Sequence, residues 1–317
     1  MSIHDQELRA VYAQTLIEIA DHDDRIVVVE ADLMTASGTR PFKERFGARA
    51  IDMGVAEQNM VAFAAGLAAE GKIPFAASFT PFATRRALDQ FAISVAYANL
   101  PVKLVGTAPG ITAALNGGTH MCFADIARMR ALPGVVVMAP CDAADVRACV
   151  RAAVRHDGPV YLQLMRAKMP AVFAHDRSVN LGQVDLLRGG RDVTIVTSGY
   201  TTHLGLMAAD IVAARGISAE VINISCIKPL GADALLDSAR KTGFVVTVEN
   251  GSVIGGLGGA VAEAIAETAV ASVHRIGVRD EWGEVGSVDY LAQRYGLTPH
   301  QVADDIAGAL RCPRFAV

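Results

Sequence analysis

The segment GVVVMAPCDAADVRACVRAAVRHDGPVYLQLM, residues 134–165, decides the architecture of this chain, because it carries a strand, a helix and a second strand in succession. Residues 134–140 and 159–165 are short, continuous, Val-rich runs rather than alternating ones, which marks strands buried on both faces. Between them the helix signals are complete. Pro140 precedes the helix, Asp142 stands at the N-cap position, and Gly158 and Pro159 lie beyond its end. A strand that returns through a helix runs parallel to the first, so this is the repeating unit of an α/β sheet.

The same unit extends outward in both directions. RIVVVEAD (25–32), IPFAASF (73–79) and PVKLVGT (101–107) read as further buried strands, with helical stretches between them. From Met169 to Arg191 the pattern lapses into Pro170, His175, Asn180 and Gly189-Gly190, a linker with room for a short strand. DVTIVTSG (192–199), ISAEVINIS (217–225), GFVVTVEN (243–250) and VHRIGVRD (273–280) then resume it, with helices beginning near Thr202, Gly231 and Gly256. The expected architecture is α/β: two doubly wound domains, at about 1–175 and 190–317.

Composition narrows the function classes. The chain has 317 residues, 52% hydrophobic and 20% charged, enough apolar material for a large core. A net charge of -4 without a basic run gives no footprint for nucleic acid. No apolar stretch reaches the ~18 residues of a membrane span, and the charged start MSIHDQELR is followed by no signal-type segment, so a cytoplasmic location is expected. Cys122, Cys141, Cys149, Cys226 and Cys312 form no CxxC pair and no metal spacing, as reduced thiols would. The chain has no GxSxG, HExxH or phosphate-loop pattern. VIGGLGGAVAEAIAE (253–267) lacks GxGxxG spacing and reads as a tight turn with close helix packing; weak anion binding by the amides of Gly256–Gly259 is the other reading.

IDMGVAEQNMVAFAAGLAAEG (51–71) places Glu57 at the start of a helix rich in small residues. One reading is a charge favoured by the helix dipole, worth ~0.3–1 kcal/mol. The other takes Met53, Val55, Met60 and Val61 as walls of a dry site, in which a carboxyl has a raised pKa and exchanges a proton near neutrality.

The run DMGVAEQNMVAFAAGLAAEGKIPFAASFTPFATRRALDQF resembles the pyrimidine-binding region of transketolases, the thiamine-diphosphate enzymes that move two-carbon ketol units. The resemblance continues through NLPVKLVGT, GGTHM, DIARMRALPGVVVMAP, PVYLQL, VTIVTSG, VINISCIKPL and VTVENGSVIGGLGGAVAE, covering roughly residues 8–300. It implies that Glu57 hydrogen-bonds N1′ of the cofactor's aminopyrimidine and so promotes ylid formation at C2 of its thiazolium. It implies that Phe79 and Phe82 pack against that ring. The family's third aromatic position falls on Arg85, which makes this part of the wall a cation over a ring or a subunit contact. Asp32 matches an acidic position near the cofactor and the dimer contact; an ordinary strand-end aspartate capping the next turn is the other reading.

The sequence departs from the family at the substrate. In GTAPGITAALNGGTHM (106–121) His120 is kept for proton transfer or hydrogen bonding at the reacting carbonyl, while the family's first histidine is Ala108 and its acidic pair is Leu115 and Asn116. Ala36 replaces a phosphate-contacting serine, and Arg166 in LMRAKMP matches the phosphate arginine. A sugar-type substrate other than ordinary pentulose phosphates is expected. The resemblance covers only the C-terminal half of a full-length transketolase: a pyrimidine-binding domain and a transketolase C-terminal domain. It implies a subunit of a split enzyme in a two-plus-two heterotetramer. The N-terminal partner would hold the diphosphate and Mg²⁺, with no metal site on this chain. The β subunit of a 2-oxo acid dehydrogenase and a deoxyxylulose-phosphate-synthase-like enzyme share the fold and the glutamate; GVAEQNM followed by TRRALDQ favours transketolase. A non-catalytic regulatory homologue is the reading from another class.

Overall fold

The computed structural model describes residues 6–173 and 177–311, so His175 and Cys312 lie outside the described residues. Twelve strands are seen among them: β1 (Ile26–Glu30), β2 (Ala50–Asp52), β3 (Ile73–Phe79), β4 (Lys103–Thr107), β5 (Val136–Met138), β6 (Val160–Leu164), β7 (Asp185–Arg188), β8 (Val193–Thr197), β9 (Ala219–Asn223), β10 (Cys226–Lys228), β11 (Phe244–Ser252) and β12 (Ser272–Val278). They form a seven-stranded sheet, β10-β5-β6-β4-β3-β1-β2, and a five-stranded sheet, β12-β11-β8-β9-β7. Both are parallel except at one edge each, where β10 and β7 run antiparallel. The chain thus has two doubly wound α/β units.

The continuous apolar runs are strands because both of their faces are covered. Every residue of β1, β4, β6, β8 and β9 is buried. The Ala143–Arg155 helix is capped as its sequence requires, the Asp142 carboxylate accepting the Asp145 N–H at 2.8 Å.

The two units are not separate bodies. Cys226–Lys228 belongs in sequence to the second unit, yet it pairs with Val137 and Met138 at the edge of the first sheet. One apolar cluster runs across the junction, joining Met129, Val137 and Ala139 to Val196, Ile222, Ile224 and Ile227. The segment read as a linker supplies a clasp: Arg177 pairs with Asp145 at 2.9 Å and Asp185 at 2.7 Å, and Ser225 Oγ donates to Asp145 at 2.7 Å. Burial pushes the Asp145 carboxyl up to about 6, against the opposing pull of Arg177.

Glu30, the last residue of β1, is fully buried and accepts hydrogen bonds from Thr39 Oγ1 (2.6 Å) and Ser37 Oγ (3.2 Å), fixing the turn that carries Asp32 and Ala36. Burial pushes its carboxyl up to about 8, although the two hydroxyls pull the other way. The folded chain therefore holds a proton that the unfolded chain releases above about pH 4. Its stabilising contribution is complete below that value and is lost as pH rises through 8. Glu30→Gln keeps an acceptor for both hydroxyls and cannot ionise, so it should flatten this fall and raise stability at pH 8 by on the order of a few kcal/mol. Thermal unfolding midpoints from pH 5 to 8 read this directly; parallel curves for variant and wild type would exonerate Glu30.

Candidate active site

Glu57 is the first residue of the Glu57–Ala69 helix and is 2% exposed. Met60 and Val61 are buried beside it, but Met53 is half-buried and Val55 is 74% exposed, so the dry wall expected from the sequence exists on the helix side only. Nor is the carboxylate unpaired. Arg86 Nη1 donates to Glu57 Oε2 at 2.8 Å, and the Arg86 guanidinium lies 4.3 Å from the centre of the Phe82 ring. A buried carboxylate without such a partner would carry a large desolvation cost.

Three rings converge next to this pair. Phe79 ends β3, Phe82 opens a π-helical turn at Phe82–Arg86, and His120 arrives on the loop after β4. Their centroids lie 6.2 Å (Phe79–Phe82), 5.8 Å (Phe79–His120) and 5.1 Å (Phe82–His120) apart, all edge-to-face. His120 Nδ1 is 2.9 Å from Thr119 Oγ1, which fixes the ring's orientation. Arg85 is not over a ring: it is exposed, and its Nη2 donates to the Thr119 carbonyl at 3.4 Å. The cation over Phe82 is its neighbour Arg86, four residues on and so on the same face of the turn.

The loop bearing His120 is held by the C-terminal unit. Asn250 Oδ1 accepts from the Ile111 N–H at 3.0 Å and its Nδ2 donates to the Pro109 carbonyl at 3.1 Å. Ala108 and Ala114 adopt positive φ (54° and 49°), backbone strain held in place by this packing. Gly110 also has positive φ, and a Cβ there would sit 2.3 Å from the Asn250 carbonyl oxygen. Gly110→Ala should cost on the order of 1–3 kcal/mol, read as a lower denaturant midpoint. A midpoint equal to that of wild type would mean that the loop absorbs the change.

The remaining candidate positions are dispersed. Asn116 is exposed and spends its amide on the Ala113 carbonyl (2.8 Å), closing its own turn, and Leu115 points to solvent. Asp32 has φ 60° and an exposed side chain; the bond at that corner runs from its backbone N–H to Asp52 Oδ1 at 2.8 Å. Arg166 stacks over Phe79 at 5.0 Å and opens onto a cavity of about 430 Å³ shared with Arg9, Lys168, Thr112 and Tyr200. Sequence reasoning missed Arg9. It pairs with Glu7 at 2.7 Å, its Nη1 donates to the Ala36 carbonyl at 3.2 Å, and burial together with its charge pushes Arg166 below the usual arginine range. An isolated arginine on the first helix carries no periodic signal, so only the fold brings it to Arg166. Among the described residues no group of three His, Cys, Asp or Glu side chains is placed to hold a metal ion.

Residues 4–171 match the family model of the transketolase pyrimidine-binding domain, and residues 182–302 that of the transketolase C-terminal domain. The chain belongs to the transketolase family. It is 50% identical, over 95% of its length and 94% of the relative's, to the 6-deoxy-6-sulfo-D-fructose transketolase subunit SqwH of Clostridium sp. (strain MSTE9). A solved structure described as a split gene transketolase, inactive beta4 tetramer, superposes with a TM-score of 0.88 at 40% identity, covering 98% of this chain and 99% of that one. The 1-deoxy-D-xylulose-5-phosphate synthase of Gloeobacter violaceus is 38% identical over 95% of this chain but only 48% of its own. This chain is therefore a transketolase-type transferase subunit comprising the pyrimidine-binding and C-terminal units. Thiamine diphosphate is the cofactor that this family uses. The residues present suit its aminopyrimidine: a buried carboxylate at a helix start offers an acceptor, and the Phe82 ring, which already takes the flat Arg86 guanidinium paired with that carboxylate, offers an aromatic face.

Proposed function

We propose that this chain is the pyrimidine-domain subunit of a split transketolase that moves two-carbon ketol units from a ketose with an anionic terminus. The observation that carries this reading is the buried Glu57 carboxylate, linked through Arg86 to the Phe82 ring, with Phe79 and His120 packed edge-on to that ring. Glu57 binds the ring nitrogen of the aminopyrimidine and holds or moves a proton there. Phe79 and Phe82 orient the ring and keep water from it. His120 donates to, or takes a proton from, the oxygen at the reacting carbonyl. Bound thiamine diphosphate supplies the stabilised carbanion that this chemistry needs. Asp32 and Arg85 belong to the margin of the cofactor site and its subunit contact.

The substrate's far end is assigned to Arg9 and Arg166. Two guanidinium groups on one cavity suit a phosphate or a sulfonate, and the similar Clostridium protein is named for a sulfonated ketose. Asn116, exposed on the same loop as His120, is assigned a minor substrate contact. The diphosphate and Mg²⁺ fall to an N-terminal partner subunit in a two-plus-two assembly. The similar split-gene structure is described as inactive in its β-only tetramer, which supports a need for that partner. The assembly works in the cytoplasm; no helix among the described residues is long and apolar enough to cross a membrane.

Co-purification with the N-terminal subunit, followed by calorimetry with thiamine diphosphate and Mg²⁺, tests the reading. Binding by the pair but not by this chain alone is expected. Ketol transfer should then follow from 6-deoxy-6-sulfo-D-fructose or from fructose 6-phosphate, and the faster donor distinguishes sulfonate from phosphate. Decarboxylation of a 2-oxo acid without ketol transfer would instead place the enzyme with the synthases and dehydrogenases. A stable pair that binds no cofactor would make this a regulatory homologue.

A further inference from the structure

Arg86 has no part in the reaction as set out above, yet its guanidinium makes two contacts at the centre of the site. It donates to Glu57 Oε2 at 2.8 Å and lies 4.3 Å from the centre of Phe82. These are two of the groups assigned to the cofactor's pyrimidine ring. We infer that Arg86 is a displaceable placeholder for that ring, holding the Glu57 carboxylate and a face of Phe82 until the ring takes them.

The match is chemical as well as positional. A guanidinium is flat, stacks on aromatic faces and presents N–H donors in its plane, the same features by which an aminopyrimidine would satisfy a carboxylate and a phenyl ring together. The asymmetry of exposure decides which partner moves. The Arg86 side chain is 46% exposed and that of Glu57 only 3%, so the arginine can turn into water and remain hydrated, whereas the glutamate cannot. Among the described residues no second carboxylate pairs with Arg86, so one ion pair tethers it. Its place at the end of the π-helical Phe82–Arg86 turn, followed by the short Leu88–Gln90 helix, puts the swing outside any regular helix interior.

The device serves both states of the subunit. Before the cofactor arrives, Glu57 is neither bare nor free to collapse into another arrangement, so the pocket keeps its shape. When the ring binds, it competes with an internal group, and the apparent affinity falls by the fraction of molecules in which Arg86 is already out.

This inference rests on the cofactor reading above, and two measurements test it. Paired with the N-terminal subunit, Arg86→Ala should bind thiamine diphosphate roughly tenfold more tightly than wild type by calorimetry, because the competitor is gone. In the chain alone, Arg86→Ala should lower the thermal midpoint by leaving Glu57 uncompensated, and Glu57→Gln added to it should restore the midpoint. A merely structural arginine would weaken cofactor binding when removed. If the wild-type pair binds the cofactor and Arg86→Ala binds it equally or less tightly, the placeholder is wrong and the functional reading stands. If the wild-type pair binds none, both fall. Additive effects of the two substitutions on the midpoint would also overturn the placeholder, since they would show that the groups do not act as a pair.

Discussion

Glu57→Gln should lower the turnover of the reconstituted enzyme by roughly 10²- to 10⁴-fold, the range for loss of a positioned acid-base group. Glutamine has the same shape and can still accept a hydrogen bond, but it cannot ionise, so the proton at the cofactor's ring nitrogen loses its counterpart. The fold should be spared, because the group left behind is Arg86, which is half exposed and can be solvated where a buried carboxylate could not. Exchange of the cofactor's C2 proton, followed by NMR on the assembled pair, isolates the step: it should slow in parallel with turnover. Exchange at the wild-type rate would remove Glu57 from the role assigned to it.

The second large effect is expected at the other end of the substrate. Hydrogen bonds to charged groups contribute about 1.5–3 kcal/mol each, so Arg166→Ala or Arg9→Ala should lower kcat/KM for an anionic ketose by roughly 10- to 150-fold. The loss should fall mainly on KM, since a remote terminus is bound equally in ground and transition states. A neutral ketose should be nearly indifferent to either change. Arg9 also meets Glu7 and the Ala36 carbonyl, so its removal should disturb the turn after β1 as well. Equal losses for neutral and anionic donors would show that the cavity shapes the protein and does not read the charge.

What the sequence disclosed and what it hid follow one physical division. IPFAASF was legible to the residue, because a continuous apolar run between turn signals has one stable fate, a strand covered on both faces. The helix after Asp142 was legible for the same local reason: its cap and its stop are written within a few residues of it. Glu57, Phe79, Phe82 and His120 were named from a familiar motif, and the fold brings them together.

The contacts between distant segments were not readable. Arg9 meets Arg166, and Asn250 reaches back to Pro109 and Ile111, across intervals that no periodic pattern spans. The choice between Arg85 and Arg86 turned on which guanidinium meets Glu57, a residue nearly thirty positions away, and no local pattern reports that contact. The exposure of Val55 likewise depends on where the helix starts, not on its apolar character.

The crossing of Cys226–Lys228 into the first sheet bears on where such an enzyme can be divided in evolution. A gene break upstream of the pyrimidine-binding unit leaves the sheets of both units whole. A break between the two units would separate β5 from the strand that closes its edge, and would lay open a row of unpaired peptide groups beside a bisected apolar core. The two units thus form one heritable module, joined by a covalent segment that neither half could give up and still fold as it does here.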